Sequence, residues 1–161
     1  DSDLRKPIID NLAAAGIATI AAAGNDYAKT TISAPACISS AVSVGATTDT
    51  DDIASYSNIS PQIDLLAPGS NIYAAIPGGY GSKSGTSMAT PQVAGVVALM
   101  WSANPELVGD LDRTRRILRD TADPIETNDP ARARTDECGG PANIVGAGLV
   151  DAYAAVSAAR G

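Results

Sequence analysis

Ile17-Ala18-Thr19-Ile20-Ala21-Ala22-Ala23 is a short apolar run without polar alternation, and it stops at the turn-forming Gly24-Asn25-Asp26. A strand wet on one face would alternate, so a run this uniform reads as a strand covered on both faces of a parallel sheet. Upstream, Leu4, Ile8, Leu12 and Ala15 recur at helical spacing, which predicts a helix with Ser2 or Asp3 as cap and Gly16 as stop. Downstream, 41–46 and 63–67 read as further strands. Residues 71–76 and 80–83 read as a hairpin around Pro77-Gly78-Gly79.

The longest apolar helix is predicted over 87–102, apolar nearly all round and therefore buried. Pro91 falls in its first turns, where it is tolerated only if its missing N–H has no intrahelical partner. A second, amphipathic helix is predicted over 110–121. Leu111, Ile117 and Leu118 face inward in that reading, and Arg113, Arg115, Arg116 and Arg119 outward. Residues 124–142 read as a loop, and Asp151 caps a final Ala-rich helix reaching Ala159. Strands alternating with helices give an α/β class with helices layered on a mostly parallel sheet.

Composition narrows the function. The chain has 161 residues, 45% apolar and 18% charged, enough for a packed core in one domain or in part of a larger one. The net charge of −7 argues against nucleic acid or an anionic membrane as partner. There is no histidine, which excludes a histidine base, metal site or pH switch within these residues. No apolar run approaches the length needed to span a bilayer. Lacking an initiator Met and a signal-peptide plan, residues 1–161 are expected to be an excised or processed piece of a longer chain. Cys37 and Cys138 are two buried thiols or a disulfide closing a long loop; their spacing leaves both open.

Three stretches carry chemistry. Gly85-Thr86-Ser87-Met88-Ala89-Thr90-Pro91 opens the apolar helix. Its serine is a helix N-cap in the simpler reading, and a nucleophile in the positive field of a helix N-terminus in the sharper one. Ala22-Ala23-Gly24-Asn25 ends a strand on the side where α/β sheets bind ligands. Asn25 there is a turn residue or an amide donor to a developing oxyanion. Asp64-Leu65-Leu66-Ala67-Pro68-Gly69 alone is a strand and a turn.

Together these stretches resemble the subtilisin-like serine proteases, the subtilases. Gly85 to Pro91 followed by Val93-Ala94-Gly95 is similar to that family's serine motif. Ala21 to Asn25 resembles its oxyanion strand, and Ala41-Val42-Ser43-Val44-Gly45-Ala46 its next core strand. Ser55-Tyr56-Ser57-Asn58 and Leu66-Ala67-Pro68-Gly69 match the segments ahead of the serine. Gly146-Ala147-Gly148-Leu149-Val150-Asp151-Ala152 matches the closing motif. The pieces stand in family order from near Asp1 to near Ala158.

The resemblance implies a subtilisin-like three-layer fold incomplete on its N-terminal side. Residues 1–161 would be the C-terminal portion of the catalytic domain. Ser87 would be the nucleophile, and Asn25 would donate its amide to the oxyanion with the Ser87 N–H. Ala22, Ala23 and Gly24 would form a wall of the substrate pocket and Ser33 its floor. Ala34-Pro35 would be cis, and Asp64 a cation ligand. The chemistry needs no cofactor, though a structural calcium or monovalent cation fits the family. Secreted relatives with cysteines near both positions favour the Cys37–Cys138 bridge, and with it secretion. The family's Asp and His precede the oxyanion strand and are absent here, and Gln92 stands where many relatives have a histidine that is not the base. A serine hydroxyl needs an adjacent base, so this chain alone is expected to be inert. Its partners would be protein or peptide substrates and the N-terminal part of the same domain. Without that part, an uncovered strand edge would drive self-association. The reading from another class is a non-catalytic relative that binds peptide without cutting it.

Overall fold

A computed structural model of the protein describes residues 3–125 and 144–161. Three parallel strands form its main sheet: β1 (Ile20–Ala22), β2 (Val42–Thr47) and β3 (Leu65–Pro68), in that spatial order. Ile20 lies opposite Val42, and Val44 opposite Leu65. Successive side chains leave a strand on opposite faces, and two cores follow. On one face Val44, Ala46, Leu65 and Ala67 pack with Val93, Val96, Val97 and Met100 of α2 (Thr86–Ala103). On the other, Ala21, Ala23 and Leu66 pack with Ile9 of α1 (Lys6–Ala14) and with Ile32, Ile38, Ile59 and Ile63. The result is the expected sheet between helical layers. The small side chains let the layers approach closely.

The helices depart from the sequence reading in instructive ways. α1 begins at Lys6 with Arg5 in the cap position; Asp3 acts one turn earlier, its Oδ1 accepting the Arg5 N–H at 2.8 Å. Its buried residue is Ile9, while Leu4 and Ile8 stand in solvent. The helix is rotated so that Ile9, with Leu12, meets the core. α2 starts before the predicted 87–102 span, with Gly85 as its cap residue. Pro91 sits deeper than a position where its missing N–H is harmless, so the Ser87 carbonyl loses its i+4 donor. Nor is α2 buried all round: Ala94, Ala98 and Leu99 are exposed. Ala94 and Ala98, with Ile17, Ala18, Trp101 and Val108, border an apolar recess of about 500 Å³.

α3 (Leu111–Asp120) is capped by Asp110, whose Oδ1 accepts the Arg113 N–H at 3.0 Å. α4 (Ala152–Arg160) is capped by Asp151 in the same way, through the Ala154 N–H at 2.8 Å. The hairpin of β4 (Ile72–Ile76) and β5 (Gly79–Lys83) forms as read, antiparallel and separate from the main sheet. One edge of that sheet is closed: Leu66 N–H donates to the Gly148 carbonyl at 2.8 Å, and Val150 N–H to the Leu66 carbonyl at 2.9 Å. The other edge, β1, pairs with no further strand among the described residues. Ala34–Pro35 is cis. Most of the predicted 124–142 loop, and Cys138 with it, lies outside the described residues; half-buried Cys37 lies within them. Among the described residues no helix is long and apolar enough to cross a membrane.

Candidate active site

The carboxyl end of β1, the loop after β3 and the start of α2 converge. β1 runs into Ala22-Ala23-Gly24-Asn25, held by the Ala23 N–H to the Val44 carbonyl at 2.9 Å. The loop after β3 holds α2 in register: Gly85 N–H donates to the Gly69 carbonyl at 2.8 Å, and Gly69 N–H to the Thr47 carbonyl at 3.0 Å. The Tyr56 hydroxyl donates to the same Gly69 carbonyl at 2.9 Å. A Cβ on Gly69 would stand 2.6 Å from the Ala46 Cβ and 2.9 Å from the Gly85 carbonyl oxygen, so this approach needs glycine.

Ser87 is the second residue of α2 and is exposed. It is not the cap, so the simpler reading of its hydroxyl fails. Its backbone N–H has no hydrogen-bond partner among the described residues, as expected of the first turn of a helix. Asn25 lies beside it. The Asn25 Oδ1 accepts the Thr86 N–H at 2.9 Å and the Thr86 hydroxyl at 3.0 Å. A backbone N–H can only donate, so the oxygen of this carboxamide is fixed and the Nδ2 is turned away from Thr86. The Nδ2 makes no hydrogen bond to another described residue, and a Cβ on Gly85 would crowd it at 3.3 Å. Two donors, Asn25 Nδ2 and Ser87 N–H, are thus left open at one helix N-terminus, where the helix dipole favours negative charge.

Thr86 received no role from the sequence, although it stands between Gly85 and Ser87. It is fully buried, and its Oγ1 also accepts the Gly24 N–H at 3.2 Å. A hydroxyl that accepts from one chain segment and donates to the next locks Gly24 and Asn25 onto α2. Asn58 stands in the Ser55–Asn58 segment, and its sequence neighbours assign it no role. Its buried side chain accepts the Asp26 and Ala28 N–H groups at 2.9 and 3.0 Å and donates to the Ala23 carbonyl at 3.2 Å. No local pattern marks it, because its side-chain partners lie 25 or more residues away.

Ser33 runs beside the Ala22–Gly24 segment: its N–H donates to the Ala23 carbonyl at 2.8 Å, and its Oγ accepts Asn58 Nδ2 at 3.3 Å. Ala23 is wholly buried, with its N–H bonded to the Val44 carbonyl and its own carbonyl taken by Ser33 and Asn58, so it presents nothing to a ligand; Ala22 and Gly24 are half-buried. Gly24, at φ +105, has Ser33 Oγ and Asn58 Nδ2 only 2.4 Å from where a Cβ would sit. Gln92 ties α2 to the end of β3, its Nε2 donating to the Pro68 carbonyl at 2.5 Å.

Asp64 is remote from this convergence and is not built as a cation ligand. Its buried carboxylate accepts Arg115 Nε and an Arg115 terminal nitrogen at 2.9 and 2.7 Å, and Arg119 at 3.1 Å. It also accepts the Ser43 N–H at 2.9 Å. Two guanidinium groups occupy the oxygens a metal would need and would repel it. The same contact corrects the outward reading of Arg115 and Arg119. No cluster of three or more His, Cys, Asp or Glu able to hold a metal occurs among the described residues.

The subtilase family model matches residues 2–148. The chain belongs to the subtilase family. It is 41% identical over 104 residues to subtilisin NAT of Bacillus subtilis subsp. natto, covering 62% of this chain and 27% of that protein. It is 38% identical over 159 residues to an extracellular protease of Xanthomonas campestris pv. campestris, covering 94% of this chain and 25% of that one. The fold matches the solved structure of the patellamide maturation protease PatA with a TM-score of 0.82 at 28% identity, over 99% of this chain and 58% of that one. This subtilase chain therefore spans about a quarter of the length of those two curated relatives.

Proposed function

We propose that this chain carries the nucleophile and oxyanion donors of a subtilisin-type serine endopeptidase. The observation that supports it best is the placement of exposed Ser87 one residue beyond the Thr86–Asn25 clamp, with two unpartnered donors beside it. In this reading Ser87 Oγ adds to the scissile carbonyl, and the negative charge that forms on its oxygen is met by Asn25 Nδ2 and the Ser87 N–H. The Ser87 proton passes to a base, then to the leaving amine, and water releases the acyl group. Residues 1–161 hold no histidine, and among the described residues no lysine is hydrogen-bonded to Ser87. The base is supplied by polypeptide outside these residues, and the chain alone is inactive.

That polypeptide docks on the open edge of β1 and the exposed Ala94–Ala98–Leu99 face of α2, and without it these surfaces drive self-association. The substrates are proteins or peptides. A site of action outside the cell is supported by the relative named an extracellular protease. The test is labelling of the full-length protein and of residues 1–161 with a serine-directed fluorophosphonate, with peptide hydrolysis measured in parallel. The full-length protein is expected to label at Ser87 and to hydrolyse; the isolated chain does neither. A folded full-length protein that binds peptide yet neither labels nor cleaves overturns the reading in favour of a peptide-binding domain.

A further inference from the structure

We propose that Asn58 is a positioning residue for the reaction: it fixes the backbone that carries Asn25, and so sets where the Asn25 amide stands relative to Ser87. The inference rests on the reading of Asn25 as an oxyanion donor and adds to it a residue that touches neither substrate nor reacting atoms. Past Ala22 the chain leaves β1 and turns sharply, with Gly24 at φ +105 and Tyr27 at φ +58, both in the left-handed region. A tyrosine there is strained, and such a turn keeps its shape only where its surroundings impose it.

Asn58 imposes it. Its Oδ1 accepts the Asp26 N–H at 2.9 Å and the Ala28 N–H at 3.0 Å. Backbone N–H groups only donate, so this oxygen is fixed and the Nδ2 faces the other way. The Nδ2 donates to the Ala23 carbonyl at 3.2 Å and to the Asp26 carboxylate at 3.0 Å. The Asn58 backbone N–H adds a bond to the Gly24 carbonyl at 2.9 Å. Asn58 therefore bonds Ala23, Gly24, Asp26 and Ala28, on both sides of Asn25, and leaves Asn25 itself to Thr86. The carboxamide oxygen of Asn25 is set from α2, and its main chain is set from Asn58. These two anchors hold the Nδ2 in place before charge develops, which is the condition for a donor to stabilise an oxyanion without reorganising. The Asn58 side chain is buried, so truncating it leaves the groups it satisfies unpaired and frees the turn to move.

The experiment is a double-mutant cycle on the full-length protein. It reads kcat on one peptide anilide for the unaltered protein, Asn58→Ala, Asn25→Ala and the double variant. Asn58→Ala is expected to lower kcat by about tenfold to a hundredfold where Asn25 is present, the scale of a donor misplaced by up to an ångström. Where Asn25 is already alanine it should lower kcat by less than about twofold, because no amide is left to position. Equal losses in both backgrounds, the mark of a purely structural role, or no loss in either, overturn the positioning role. Asn58→Asp keeps the shape and the two accepted bonds but loses the donations from Nδ2, and it carries the same cycle if the alanine variant does not fold. Failure of both to fold would make Asn58 a folding determinant and overturn the proposal. An unchanged kcat in Asn25→Ala overturns the oxyanion reading and this inference with it. A lowered kcat there, with equal losses on changing Asn58, sinks the inference alone.

Discussion

Asn25 Oδ1 receives two hydrogen bonds from a single residue, Thr86, one from its backbone and one from its hydroxyl. The backbone bond is available to any residue but proline at position 86, whereas the hydroxyl bond, and the one it accepts from Gly24, depend on the side chain. Thr86→Val keeps the shape and removes both. In the full-length enzyme it should lower kcat about tenfold with little change in KM, the scale of one net hydrogen bond. Thr86→Ser should restore most of the loss. A valine variant with a raised KM and unchanged kcat would show that Thr86 serves binding alone.

Gly24→Ala should destabilise the protein by about 2 kcal/mol or more. The residue sits at φ +105, and the new methyl would meet Asn58 Nδ2 and Ser33 Oγ at 2.4 Å. Denaturant unfolding measures this directly. The methyl should also push the Asn58 side chain from the Ala23 carbonyl, so residual activity should fall further than stability alone explains.

The ion cluster predicts unequal costs for its two arginines. Arg115 spans both Asp64 oxygens and also donates to the Ser39 carbonyl at 2.7 Å. Arg119 contributes one bond from a half-exposed side chain. Arg115→Met should cost about 3 kcal/mol, because a buried carboxylate loses its main partner. Arg119→Met should cost about 1 kcal/mol. The double variant should cost more than the sum, since each arginine partly covers for the other. Equal single costs, read from urea midpoints, would contradict this geometry.

A pH effect is expected at the start of the chain. Lys6 and the Ser40 hydroxyl, bonded to Asp10 at 2.6 Å each, hold its carboxyl below the usual carboxylate value. A carboxyl lowered in the folded state adds stability above its unfolded pKa, and that stability is lost as pH falls through the folded value. Asp10→Asn should therefore melt earlier than the unaltered protein at pH 7, and the two should converge in strong acid. A gap in melting temperature that persists at pH 2 would refute it.

The sheet, and the placing of Asn25 and Ser87 at the ends of elements, were legible because they depend on local signals. An unbroken apolar run announces β1, and Asn25 and Ser87 stand in short recognisable segments at the ends of elements. Side-chain roles that join distant segments were not legible. Asp64 looked like a ligand because its own stretch says nothing about Arg115, 51 residues away. Arg115 and Arg119 looked solvated because helical periodicity distinguishes polar from apolar but not free from paired. α1 misled differently: Leu4 and Ile8 make as good a stripe as Ile9 and Leu12, and only the packing of neighbouring segments chose between them.

The clamp between Thr86 and Asn25 bears on how such chemistry could be moved to a designed scaffold. The heptapeptide from Gly85 to Pro91 would transplant easily, but it would bring the hydroxyl without its setting. The donor amide arrives on a separate strand, oriented by Thr86, and the close approach of that junction is set by a glycine on a third segment, Gly69, against Ala46. A faithful graft must copy four discontinuous backbone stretches at once, which makes the smallest portable unit of this motif nearly the whole sheet.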